Sequence, residues 1–180
     1  MNEKFEKLVF KNCDAATAES TLALVVLFGL SAFLLYWGIK VPFFPILLMG
    51  VGVGVGGYYT YKKFQGEFKG APFWVKMIKE NPDNIVWIKP IVTKHTVGIV
   101  ITLYKERKFQ FLTADGLKIT MKCDSDEDQK VFFEGVNQYL YNAHIGYSLD
   151  VDNIYRQDSV SFIRNLKKNG LYTPITSYKI

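Results

Sequence analysis

Cysteine and histidine are scarce in this chain, with two of each among 180 residues. Cys13 and Cys123 are too few for a disulfide framework, and they flank the apolar part of the sequence on segments expected in one compartment. His95 and His144 lack the H-x-x-x-H or H-x-x-E-H neighbours that a metal site requires. There is no G-x-x-x-x-G-K-[ST] phosphate loop. Asp124, Asp126 and Asp128 match the start of a calcium loop, but Gln129 stands where its glycine belongs and Gly135 where its glutamate belongs. Carboxylates at a helix start, favoured by the helix dipole, explain them better. No catalytic residue, cofactor or metal is therefore predicted.

Charge is missing from two long stretches, Leu22 to Ile39 and Phe43 to Tyr61. At the helical rise each covers roughly 27 to 28 Å, close to the hydrocarbon thickness of a bilayer. Only Lys40-Val41-Pro42 separates them, so the pattern predicts a membrane hairpin of two antiparallel helices. A secretory leader is not expected, because Glu3, Glu6, Asp14 and Glu19 precede the first run and Tyr36-Trp37-Gly38 is no cleavage site.

The turn carries one lysine. The other side carries Lys4, Lys7, Lys11, Lys62, Lys63 and Lys69, which predicts both termini in the cytoplasm. Tyr36, Trp37, Tyr58, Tyr59 and Tyr61, with Lys62 and Lys63, are the expected interfacial anchors. Gly50 with Gly54, and Gly52 with Gly56, form two close-approach faces on the second span, with Gly29 and Ala32 expected at similar depth on the first. One face suits intrachain packing. The other could take a second copy or another protein, so the predicted partners are lipid and a protein or itself. Gly52 to Gly57 also fits a dinucleotide fingerprint, which is rejected because it lies inside an uncharged membrane-length run.

The formal net charge is +5 and the sequence pI near 9.0. Lysines alternate with carboxylates throughout the polar part, so the excess is assigned to membrane topology. Trp87, Tyr104, Phe109 and Phe111 with Lys89, Lys105, Arg107 and Lys108 could stack single-stranded nucleic acid, but alternating aromatics on strands belong more often to a core. Nucleic acid is not an expected partner.

The expected organisation is an amphipathic helix over 1–20, the hairpin over 21–61, a juxtamembrane segment over 62–83, a strand and helix unit over 84–147, and a C-terminal helix and tail over 148–180. Phe5, Leu8, Val9, Asn12, Cys13 and Ala16 recur at helical spacing. Their mixed-charge surroundings favour packing on the polar domain over lying on lipid. Pro72 opens a short helix, Phe73 to Lys79, which Asn81-Pro82-Asp83-Asn84 ends.

Four β-like runs follow: Ile85 to Ile88, Val97 to Tyr104, Phe109 to Thr113 and Leu117 to Cys123. Thr93 to Thr96, Lys105 to Lys108 and Ala114 to Gly116 are the expected breaks, and the pattern predicts an antiparallel meander. Ser125 with Asp128 starts a covering helix through Phe132, Val136, Tyr139, Leu140 and Ala143. Another is expected over about Asp158 to Lys168.

This element order over Asn84 to Tyr147, with the stretch Asn84-Ile85-Val86-Trp87-Ile88, resembles pleckstrin-homology-like domains. With two spans ahead of it, the chain resembles bacterial YcxB-like membrane proteins. That resemblance implies a seven-stranded sheet closed by one helix, whereas the residues themselves allow a smaller α+β sheet with one helix layer. It assigns no ligand residue. Together these features predict a non-enzymatic membrane-anchored protein whose cytoplasmic domain binds another protein. The competing classes are a subunit or inhibitor of a transport, toxin or pore complex, and a membrane enzyme built from scattered residues.

Overall fold

The structure, a computed structural model, describes residues 1–40, 44–97 and 101–175, with side chains described outside 92–106. Val41 and Pro42 of the expected turn, and Phe43 at the start of the second run, therefore lie outside the described residues, as do the side chains of His95, Tyr104 and Lys105.

Helix α1, Glu3–Lys40, is continuous. The boundary expected at residue 20 falls inside it, because Ser20 and Thr21 join two helical patterns with no glycine or proline to break them. At 38 residues the helix is about 57 Å long. Its first third is a core element, with Phe5, Leu8, Val9 and Cys13 buried. Its last half carries exposed Leu22, Val25, Val26, Leu30, Phe33 and Ile39. This helix is long and apolar enough to cross a membrane, and only 11% of its most apolar stretch is buried.

Helix α2, Phe44–Lys63, runs back along α1. Cβ atoms placed on Gly38 and Gly50 would meet Leu47 and Leu35 at 2.8 Å, and one on Gly57 would meet Phe28 at 3.4 Å. Between these contacts, Ser31 Oγ donates to the Gly50 carbonyl at 2.7 Å.

Helix α3, Gly70–Glu80, packs Ala71, Trp74 and Ile78 into the core. The sheet has the order β3-β2-β1-β4, from β1 (Ile85–Val97), β2 (Ile101–Thr113), β3 (Lys118–Lys122) and β4 (His144–Ile145). The expected antiparallel meander forms from three strands rather than four runs, and β4 adds in parallel to β1 at Trp87 and Ile88, making the sheet mixed. The breaks expected at Thr93–Thr96 and Lys105–Lys108 fall inside two long paired strands. The backbone ladder between β1 and β2 continues through both stretches despite their polar sequence. The expected Ala114–Gly116 turn forms, with Gly116 at φ 83°. Three strands precede helix α4, Asp126–Tyr139, so the described residues form the smaller α+β sheet.

Ser125 caps α4 by accepting from the Asp128 amide, as its spacing predicts. Two further helices follow, α5 (Leu149–Gln157) and α6 (Phe162–Lys168). The expected C-terminal helix matches α6. The sequence reading lacks α5, although Ser148 caps it through the Val151 amide and Asp150 and Asp152 occupy its first turn.

Helices cover both faces of the sheet. On the inner face Ile88, Phe111, Ile119 and Met121 meet Phe5, Val9, Trp74, Phe132 and Val136. On the outer face Val86, Trp87 and Leu112 meet Val151, Phe162 and Leu166. The register slips between Ile85 and Trp87, and this bulge turns Trp87 outward. Lys89, two residues on, follows it onto the outer face.

Candidate functional site

The richest chemistry lies where α1 and α2 reach the sheet. After α2 the chain passes Gly66, whose backbone approaches that of Lys118 so closely that any Cβ would collide. Trp74 Nε1 donates to the Gly66 carbonyl at 2.7 Å and Thr17 Oγ1 to the Glu67 carbonyl at 2.6 Å. The Glu67 side chain turns inward, where Ser20 Oγ donates to its carboxylate. Burial raises the Glu67 pKa above the usual carboxylate range, while the Ser20 hydrogen bond and the Lys118 charge oppose that shift. A neighbouring cavity of about 300 Å³ is lined by Asn12, Glu19, Ser20, Phe64, Glu67 and Lys122 among others. Asn12 Oδ1 accepts from the Lys122 amide at 2.6 Å, tying α1 to the edge strand.

On the outer face of the sheet a second cleft, about 480 Å³, opens beside the end of α2. Strand register builds its floor. Lys89 of β1 sits opposite Gln110 of β2, and Leu112 opposite Lys118 of β3. Lys62 and Lys63 enter from α2, and Asp152, Tyr155 and Arg156 from α5. Asp152 is bridged by Lys89 Nζ at 2.9 Å and Arg156 Nε at 2.7 Å, and these cations hold its carboxyl below the ordinary range against burial, which alone would raise it. Lys89 also lies 4.4 Å from the Tyr147 ring centre. Tyr155 Oη donates to the Thr113 carbonyl at 2.6 Å, so its hydroxyl proton is engaged.

Gly50 and Gly54 face α1 and meet Leu35 and Ser31. Gly52 and Gly56 have nothing within 4 Å, and neither does Gly29. Ala32 is exposed, so the α1 contacts come from Phe28, Ser31, Leu35 and Gly38 rather than from Gly29 and Ala32. Tyr36 and Trp37 are exposed at the far end of α1, with Lys40 Nζ 5.3 Å from the Tyr36 ring centre. Tyr58, Tyr59 and Tyr61 are exposed above Lys62 and Lys63, and Tyr61 stacks on Phe68. The structure thus groups Lys62 and Lys63 with Lys89, Lys118 and Arg156, an assembly sequence spacing could not show. Ser20, Ser31 and Glu67 were not singled out either. The one available signal was a hydroxyl or carboxylate beside an apolar run.

The remaining reactive groups are structural in setting. Burial pushes both cysteine thiols up to about 12. Burial pushes the His144 imidazole down to about 4, and its Nδ1 accepts from the Thr173 amide at 3.0 Å. Trp87, Phe109 and Phe111 are buried, so their rings present no stacking platform. Among the described residues no group of three potential metal ligands occurs. No protein-family model, curated protein or solved structure matches the chain.

Proposed function

We propose that this chain is a two-span membrane protein with both termini in the cytoplasm. Its α+β domain works by binding at the membrane surface rather than by catalysis. The observation that carries this reading is the outward face of the α1 and α2 pair. Leu22, Val25, Phe33 and Ile39 of α1 and Leu48, Met49, Val51 and Val55 of α2 are all exposed. The polar Ser31 hydroxyl turns inward onto a backbone carbonyl. A surface that is apolar outside and hydrogen-bonded inside suits lipid, where every polar group needs an internal partner.

Burial of Phe5, Leu8, Val9 and Cys13 also argues against α1 as a removable leader, since cleavage would strip the domain core. The start of α1 packs in the domain to which α2 returns, which supports reading both ends of the hairpin on one, lysine-rich side. The order of two spans before the domain keeps the likeness to YcxB-like proteins within this proposal.

Alkaline extraction of membranes containing the full chain tests the reading, together with reporters fused to each terminus. Retention in the pellet and cytoplasmic signals from both fusions are expected. Release into the supernatant would end the membrane proposal. A partner entering through the second span is a further reading, favoured by the open space at Gly52 and Gly56. Co-purification lost in Gly52→Leu and Gly56→Leu, but kept in Lys76→Gln, would support it.

A further inference from the structure

Building on the membrane reading, we propose that the cleft between the end of α2 and the outer sheet face binds a phosphate group, supplied by the headgroup of an anionic lipid. Five cations, Lys62, Lys63, Lys89, Lys118 and Arg156, line it against one carboxylate, Asp152. That carboxylate is already shared by Lys89 and Arg156. Lys62, Lys63 and Lys118 make no ion pair among the described residues.

The cations come from four elements, α2, β1, β3 and α5, so the fold itself assembles them. Gathering like charges costs free energy unless an anion compensates, and the cost registers on Lys118. Burial, then Lys63, then Lys89 and Arg156 disfavour its ammonium, with only Glu67 acting the other way. Lysine ammonium groups and an arginine fork are suited to phosphate oxygens.

Position identifies the source. Lys62 and Lys63 directly follow Tyr58, Tyr59 and Tyr61, which in the two-span reading lie at headgroup depth. The cleft therefore opens at the layer where lipid phosphates are concentrated, and its 480 Å³ leaves room for a glycerol unit beside the phosphate.

The test uses the full chain in phosphatidylcholine vesicles containing spin-labelled phosphatidylglycerol or spin-labelled phosphatidylcholine. The fraction of immobilised label reports preference. Wild type is expected to prefer phosphatidylglycerol, and Lys63→Gln and Lys118→Gln each to lower that preference up to about fivefold. Lys76→Gln and Lys168→Gln, which change charge outside the cleft, should retain it. Should Lys118→Gln fail to fold, Lys62→Gln together with Lys63→Gln carries the test on exposed positions.

Equal association of both lipids with wild type would overturn the site. So would an equal loss in the control variants, which would mark a diffuse charge effect. Inorganic phosphate is titrated in parallel against the chain in neutral detergent. Saturable binding there without lipid preference would identify free phosphate and overturn the headgroup source. Release of the chain from pure phosphatidylcholine vesicles at alkaline pH would instead defeat the membrane reading, and with it the lipid source. The phosphate titration would then decide the cleft alone.

Discussion

At the scale of single residues, Gly135 and His144 show how little room the domain leaves. A Cβ at Gly135 would enter the Phe5 ring, which α1 presses against α4. Gly135→Ala is expected to lose about 1 to 3 kcal/mol of stability through overpacking, measurable by denaturant unfolding. Gly135 was legible only as a failed calcium ligand. Its actual constraint comes from a residue 130 positions earlier and has no local signature.

His144 gives a pH dependence. Its folded pKa, about 4, lies below the ordinary 6.5, so between those values the unfolded chain binds more protons than the folded one. The stability due to the neutral ring is complete above pH 6.5 and declines as the pH falls toward 4. By then the loss is roughly 3 kcal/mol. Melting curves across that range should slope less in His144→Gln. Equal slopes would show that the imidazole is not held neutral.

At the scale of elements, the helix pair separates two glycine faces that sequence spacing could only pair up. Gly50 lies against Leu35, and Gly52 has open space. Gly50→Leu should therefore force α1 and α2 apart and lower the melting temperature in detergent. Gly52→Leu should leave it within about 0.5 kcal/mol of wild type. If both variants melted alike, the assigned faces would be wrong.

The meander, the Asp115-Gly116 turn and the Ser125 cap were legible because each depends on neighbours within a few residues. The two long strands were not. Polar runs such as Lys105 to Lys108 read as breaks when their pairing partners on β1, eleven to seventeen residues away, cannot be seen. Helix α5 was missed although its start chemistry and a short apolar stripe, Val151, Ile154 and Tyr155, are present: at nine residues it offers little more than two turns of periodicity to detect.

At the scale of the whole molecule, α1 joins an apolar rod and a domain core in one rigid helix. Removing residues 1–20 deletes the buried Phe5, Leu8, Val9 and Cys13. At about 1.5 to 3 kcal/mol per large buried apolar side chain, that loss rivals the 5 to 15 kcal/mol that typically holds a domain together. Residues 62–180 alone are expected to show no cooperative unfolding transition by circular dichroism. A sharp transition from that fragment would remove α1 from the core.

Sequence by itself determined the uncharged runs, the lysine asymmetry beside them, the amphipathic stripe before them and the general α+β character that follows. These are properties of composition and short-range periodicity, which need no knowledge of distant contacts. Tertiary structure alone decided that the N-terminal stripe and the first run share one helix, and which glycines touch α1. It also sank Glu67 beneath Ser20 and gathered lysines from separate elements around one cleft. The physical reason is range: burial and electrostatics depend on which residues meet in space, and chain periodicity does not encode those meetings.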